Sequence, residues 1–237
     1  MANDYFSFRQ FTIKQEKAAF KVGTDGVLLG ACADISGDGK ILDIGTGTGL
    51  IAIMAAQRSE SVIDAIEPDK DSYEQAKENV QACKWRERIN VIHSDLQNFI
   101  QENEQKYYSI ITNPPYFRDS LRNPDAVKSA ARHAFSLSSD DILKGSSKLL
   151  SDAGNLQLIL PYEEGTLFIA EASGYGFFCN NIIKVKPNPA GGIIRLIMKF
   201  ERTRKPVHEK FLTIETGVRH QYTEDYKEVT RDYYNSF

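Results

Sequence analysis

The stretch ILDIGTGTGL, residues Ile41 to Leu50, decides the fold. It opens as an apolar run broken by one acid, passes through three glycines, and at Leu50 enters a helical pattern that lasts to Arg58. In Asp43-Ile44-Gly45-Thr46-Gly47-Thr48-Gly49 the glycines let the backbone turn tightly and bring a ligand against main-chain N–H groups and a helix N-terminus. A dinucleotide site requires GxGxxG, whose third glycine would fall at Leu50, whereas Gly49 stands one position early. That weakens a nicotinamide reading. The bland alternative is a plain tight turn from strand to helix.

Outward from this loop, short apolar runs alternate with longer helical patterns. Strands are expected at 62–67, 89–93, 107–112, 155–160, 177–186 and 192–201, and helices at 50–58, 70–84, 138–150 and 163–173. Strict succession of strand and helix implies a parallel sheet covered on both faces. The last two strands are joined only by Pro187-Asn188-Pro189-Ala190-Gly191-Gly192, so they should form an antiparallel hairpin at the sheet's edge. Residues 1–39 carry Phe6, Phe8, Phe11 and Ile13 in an extended segment able to form a hairpin, and the tail 202–237 ends in a helix from Thr223 to Tyr234. One domain is expected, with a core at 40–201 and a decoration at each end.

At 237 residues, with 41% hydrophobic and 26% charged side chains, the chain has the composition of a globular α/β protein. Cys32, Cys83 and Cys179 are odd in number and form no CxxC pair, which argues against a disulfide framework or a zinc site. The N-terminus lacks a basic and apolar leader pattern, and no run approaches the roughly 18 apolar residues of a membrane span. A reducing cytoplasm is the expected location, without membrane or metal.

Two further acids follow strands. Glu67, with Pro68 after it, stands where a carboxylate can accept hydrogen bonds from both ribose hydroxyls, and Asp43 offers a carboxylate to a sulfonium ligand with an amino-acid tail. Asp95, before Leu96, either accepts from an adenine amine or caps the following helix. The strand at 107–112 stops at Asn113-Pro114-Pro115-Tyr116, an amide before a double proline and an aromatic after it. A proline turn with a capping Asn is its bland reading.

Glycine loop, acid and NPPY in this order resemble the class I S-adenosylmethionine-dependent methyltransferases that methylate amino groups, with a seven-stranded, mostly parallel sheet, over about residues 40 to 200. FTIKQEKAAFKVGTDGVLLGAC before the first core strand, ARHAFSLSSDDIL after NPPY and the tail YTEDYKEVTRDYY are similar to the bacterial tRNA adenine-N6 methyltransferases acting on valine tRNA. The resemblance implies S-adenosylmethionine held by Thr24, Asp25, Gly26, Asp43, Gly45, Thr46, Gly47, Gly49, Glu67, Pro68, Asp95, Leu96 and Asn113. It implies that Asn113, Pro114, Pro115 and Tyr116 handle the target amine at adenine-37. The Asn113 side-chain carbonyl and the Pro114 carbonyl would accept the two N–H hydrogens of a poorly nucleophilic exocyclic amine, while Tyr116 stacks on an extruded base. At Thr24 or Asp25 a helix N-cap is the competing role.

NPPY also serves guanine N2 in ribosomal RNA and protein glutamine, and a cofactor-binding RNA module without turnover is a third possibility. RNA is favoured by charge. Between Asn180 and Lys210 eight basic residues face two acids, +6, which leaves −9 for the rest of a chain of net charge −3. Lys184, Lys186, Arg195, Arg202, Arg204 and Lys205 in that stretch, with Arg118, Arg122, Lys128, Arg132 and His133 after NPPY, are the candidate RNA contacts. Basic edge strands that discourage aggregation are the alternative for the first group, and a buried or capping role for His133. By resemblance, Ala134 stands where the family has an acid. The expected partner is tRNA, and the expected state a monomer.

Overall fold

The computed structural model describes residues 3–115 and 137–235 of the 237-residue chain. An antiparallel hairpin, β1 (Tyr5–Ser7) and β2 (Thr12–Lys14), leads into α1 (Thr24–Cys32). Strands and helices then alternate: β3 (Ile41–Ile44), α2 (Leu50–Arg58), β4 (Ile63–Glu67), α3 (Lys70–Ala82), β5 (Ile89–His93), α4 (Leu96–Glu102) and β6 (Tyr107–Thr112). After the segment outside the described residues come α5 (Ser139–Leu149), β7 (Leu150–Pro161), α6 (Tyr162–Ala172), β8 (Phe178–Lys186), β9 (Arg195–Glu201), β10 (His208–Thr213) and α7 (Glu224–Thr230).

Among the described residues the main sheet has eight strands in the order β10-β8-β9-β7-β6-β3-β4-β5, and β9 alone runs antiparallel to its neighbours. The central strands β3, β4 and β6 are almost wholly buried because helices cover both faces. One core half joins α1, α2, α3 and the terminal segments, through Leu28, Ile53, Val80 and Tyr226. The other joins α4, α5 and α6, through Phe99, Ile142 and Phe168.

The mostly parallel α/β sheet with its antiparallel hairpin matches the sequence expectation, but the strand count is eight instead of seven. β10 pairs in parallel with β8 over six positions, from His208↔Asn181 to Thr213↔Lys186, so it and not the β8–β9 hairpin forms the edge. The strand escaped sequence reading because Leu212 is its single buried residue, and no apolar alternation marks HEKFLT. Charged side chains on an outermost strand also blunt its open edge. α1 is likewise not among the helices expected from periodicity, although a helix N-cap at Thr24 or Asp25 is one of the sequence alternatives; five of its nine residues, Gly26, Val27, Leu28, Leu29 and Gly30, are buried, without an amphipathic stripe.

The two ends of the chain pack on each other. Arg9 donates its backbone N–H to Tyr233 O at 2.7 Å and its guanidinium to Arg231 O at 2.8 Å, and the Phe8 and Tyr234 rings stack at 5.9 Å. Tyr233, 1% exposed, donates its hydroxyl to Met54 O in α2 at 3.3 Å. Tyr233→Ala is therefore expected to lose about 3–5 kcal/mol of stability by urea unfolding, and Tyr233→Phe about 1 kcal/mol.

Candidate functional site

β3 lies between β4 and β6, with Ile44 opposite Ile66 on one side and Thr112 on the other. The residues leaving these strands, Gly45, Glu67 and Asn113, therefore emerge at one edge of the sheet, where the strand order reverses. Such a switch point leaves a crevice for a ligand. With neighbouring strands about 4.8 Å apart, the glycine loop and the NPPY turn are side by side.

The loop is held from below. Gly45 and Thr46 donate their N–H groups to Ile66 O at 2.9 and 3.0 Å, and Gly49 N–H reaches Thr46 O at 2.9 Å. Gly45, Gly47 and Gly49 have φ of 69°, 57° and 82°, the left-handed region where a side chain is strained. A Cβ at Gly45 or Gly47 would meet nothing within 4 Å, so this backbone faces open space. Gly49 begins α2 with no side-chain cap, and the first-turn N–H of Ala52 interacts with Asp43.

Two acids frame the loop. Asp43 is 1% exposed, and its Oδ2 accepts from Thr46 Oγ1 at 2.6 Å, while Oδ1 is buried without a hydrogen-bond partner. Burial pushes its pKa up to about 7, an effect that the Thr46 hydroxyl and the Ala52 backbone N–H reduce and the Glu67 charge increases. A buried, half-satisfied carboxylate costs stability, and such groups mark functional sites. Glu67, 7% exposed, accepts from Gly47 N–H at 2.8 Å through Oε2 and from Asp69 N–H at 3.0 Å through Oε1. Desolvation raises its pKa too, against those two bonds. Glu67 thus fixes the shape of the glycine loop, a role that its strand-end position alone did not reveal.

Asn113 is half-buried, Pro114 buried and Pro115 exposed. A Cβ on Gly26 would lie 3.8 Å from Asn113 Nδ2 and 3.2 Å from Leu50, so the first turn of α1 closes against both the turn and α2. Thr24, Asp25 and Gly26 are thereby brought to the site. Neither Thr24 nor Asp25 is the N-cap, contrary to that sequence alternative. Gly23 takes the position, and Asp25 accepts from Arg195 Nε at 2.7 Å.

Asp95 is a helix cap: Oδ1 accepts from Asn98 N–H at 2.7 Å and Oδ2 from Asn98 Nδ2 at 2.8 Å. Leu96, 2% exposed, lies in the core beside Gly145. At the same rim, His93 Nε2 lies 3.1 Å from Pro68 O, and its ring stacks on Tyr73 at 5.0 Å. Neither ring was singled out from sequence.

Sequence reasoning also missed the polar stripe that ties the N-terminal segment to the site. Ser72, Gln75 and Asn79 on α3 are buried, and accept from the backbone N–H groups of Ala19, Lys17 and Lys14 at 3.2, 3.1 and 2.9 Å. Asn79 Nδ2 also donates to Thr48 O at 2.8 Å, joining that segment to the glycine loop. The available signal was their spacing, i, i+3 and i+7, which puts all three on one helix face.

Tyr116, Arg118, Arg122, Lys128, Arg132 and His133 lie outside the described residues. The other basic candidates do not form one surface. Arg195 and Lys186 lie at the site edge, whereas Arg202, Arg204 and Lys205 follow β9 at the opposite end of the sheet. Their charges are also engaged: Lys184 with Glu209 at 2.5 Å, Lys205 with Glu201 at 2.7 Å, and Arg202 and Arg204 over the Phe177 and Phe178 rings. Lys186 Nζ donates to Pro189 O at 3.3 Å. An antiparallel β9 and the turn after it necessarily separate cations that are close in sequence.

Among the described residues no group of three His, Cys, Asp or Glu is placed to hold a metal, and no helix is long and apolar enough to cross a membrane.

Residues 17–163 match the methyltransferase small domain family. The chain belongs to that family. It is 42% identical over 237 residues to the tRNA1(Val) (adenine(37)-N6)-methyltransferase of Trichodesmium erythraeum, covering 99% of both chains. The protein of the same name from Bacteroides thetaiotaomicron is 43% identical over 236 residues, with 99% of this chain and 98% of the relative covered. Within the family the chain groups with these relatives. Two solved structures share the fold. A predicted O-methyltransferase from Agrobacterium tumefaciens has a TM-score of 0.67 at 18% identity, covering 88% of this chain and 96% of that one. TYW2 from M. jannaschii in complex with AdoMet has a TM-score of 0.53 at 16% identity, covering 84% and 86%.

As a methyltransferase of this family, the protein uses S-adenosylmethionine, and the site fits that molecule. The orphaned Asp43 Oδ1 suits an ammonium, and the open glycine backbone leaves room for a ligand. Asp43 holds its proton up to about pH 7 folded but only to 3.8 as an ordinary carboxylate, so this group favours folding at low pH and the advantage is lost as pH rises toward 7. Asp43→Asn should therefore gain stability over the unsubstituted protein across that interval, by up to about 4 kcal/mol. Thermal melts against pH test this, and titration calorimetry should show cofactor binding weakening as pH falls below 7 only where Asp43 is present.

Proposed function

We propose that this protein transfers a methyl group from S-adenosylmethionine to N6 of adenine-37 in valine tRNA. The observation that carries the reading is the juxtaposition of Asn113-Pro114 with the glycine loop across the β3–β6 pair, Thr112 opposite Ile44. The full-length identity with relatives named for that reaction supports the substrate.

S-adenosylmethionine supplies an electrophilic methyl group on a sulfonium. Asp43 accepts hydrogen bonds from an ammonium, and Glu67 offers the remaining lone pairs of its carboxylate to hydroxyl donors while holding Gly47 in place. Gly45, Thr46, Gly47 and Gly49 present backbone N–H groups, and Thr24, Asp25 and Gly26 close the crevice from α1. Pro68, Asp95 and Leu96 form the rim beyond Glu67, where Asp95 steadies α4 by capping it.

Asn113 Oδ1 and Pro114 O accept the two hydrogens of the adenine N6, turning its lone pair toward the methyl group. Proline restricts the backbone that carries these acceptors, so they need not reorganise during the reaction. Attack leaves the nitrogen cationic, and its proton is lost afterwards, so a strong general base is unnecessary. Tyr116 stacks on the extruded base in this reading. Arg118, Arg122, Lys128, Arg132 and His133, with Lys186 at the site edge, contact RNA, while Arg195 is engaged by Asp25. The protein acts as a monomer in the cytoplasm, its 237 residues forming one catalytic domain.

Asn113→Ala is expected to lower methyl transfer to total tRNA at least about a hundredfold, read as N6-methyladenosine by nucleoside analysis, with cofactor affinity little changed. Labelling of ribosomal RNA or protein glutamine in place of tRNA would overturn the substrate assignment.

A further inference from the structure

The ends of the chain build a cavity at the site edge of the sheet, a cleft of about 510 Å³ lined by Phe6, Tyr222, Tyr226, Tyr234, Gly23 and Thr24 among others. We infer that this aromatic cleft receives a nucleobase flanking the target adenine. The inference rests on the RNA reading above.

Three observations converge on a base as the occupant. First, Phe6, Tyr222, Tyr226 and Tyr234, four of the ten lining residues, are aromatic, and aromatic walls accept any base by its π face. The volume falls within the range of small-molecule sites, roughly 300–1,000 Å³. Second, the position fits a neighbour of the target. Gly23 and Thr24 line the cleft, while Gly26, on the same first turn of α1, abuts the Asn113 side chain. Thr24 and Gly26 are two residues apart, about 3 Å in rise and roughly 200° around the axis, so the cleft and the target-amine acceptors flank the first turn of α1 from its two sides. Two adjacent bases of a splayed strand can straddle that turn. Third, polar residues stand at the rim. His220, which also lines the cleft, has φ of 64°, and its N–H donates to Glu215 Oε1 at 2.9 Å. A non-glycine residue held in that region is strained, and strain of this kind collects at ligand contacts. Arg219 beside it is exposed, and cations of this kind contact phosphates.

The arrangement explains why both ends of the chain are aromatic. Phe6 packs on Phe8 at 4.7 Å and on Tyr234 at 6.0 Å, and Tyr222 stacks on Tyr226 at 5.0 Å. The rings support one another as a rigid wall, so little ordering is needed when a base enters.

The test is a double-mutant cycle between protein and RNA, read in KM and kcat of methyl transfer to an RNA stem–loop carrying the target adenine. The RNA is intact, or abasic at the nucleotide on the 5′ or the 3′ side of the target. The proteins are unsubstituted, Tyr222→Phe, Tyr222→Ala and Tyr222→Leu, the last retaining apolar volume without a π face should the alanine variant fail to fold. In the unsubstituted protein and Tyr222→Phe, removing the base on one side should raise KM about tenfold with kcat little changed. In Tyr222→Leu and Tyr222→Ala the intact RNA should already show that loss, and removing the base should add almost nothing. Multiplying losses, or indifference to both flanking bases, would overturn the inference and leave the cleft to a protein or small-molecule ligand. If the unsubstituted protein binds S-adenosylmethionine yet methylates no adenine RNA, the failure lies in the functional reading and not in the cleft.

Discussion

Everything at the site depends on where β3 sits. Flanked by β4 and β6 and covered on both faces, it can keep its place only as an apolar run, and Ile41, Leu42 and Ile44 are at most 2% exposed. The register then delivers the glycine loop, Glu67 and Asn113 to one edge together. The same burial draws in Asp43, whose carboxylate is removed from water with one oxygen unpartnered. Its raised pKa is the thermodynamic trace of that burial.

Around that fixed centre the terminal segments supply what the parallel sheet lacks. Buried polar groups on α3 hold the chain before α1, and Asn79 joins it to the loop at Thr48. Held this way, α1 reaches Asn113 through Gly26, where a side chain would meet Leu50 at 3.2 Å. A backbone that must approach a neighbour this closely favours glycine. The tail, through Tyr233 and Tyr234, fastens the same N-terminal segment from the other side, so elements distant in sequence support one another here.

Charge follows a different logic from the one its linear distribution suggests. The basic stretch from Lys184 to Lys210 is cut by β9, which carries Arg195 to the site edge and leaves Arg202, Arg204 and Lys205 at the far end. Lys199 pairs with Asp34 at 2.9 Å and Glu201 at 3.5 Å, and Lys184 with Glu209, so part of the +6 is neutralised within the fold. A cation bound to a carboxylate contributes little to a phosphate footprint.

The strand-loop-helix at 41–58, the acid at Glu67, the NPPY turn and the alternation of elements were legible because each is local. Apolar runs, glycines with positive φ and prolines that stop a strand act within a few residues of themselves. Class and cofactor chemistry follow from those signals and their order. Tertiary structure alone decided the rest. β10 exists because β8 offers it an edge, not because HEKFLT carries a strand pattern. Ser72, Gln75 and Asn79 look like a solvent face until the N-terminal segment supplies the N–H groups they accept from. The meeting of Phe6 with Tyr234 is a contact between the two ends of the chain, and no local propensity encodes which distant surfaces close on each other.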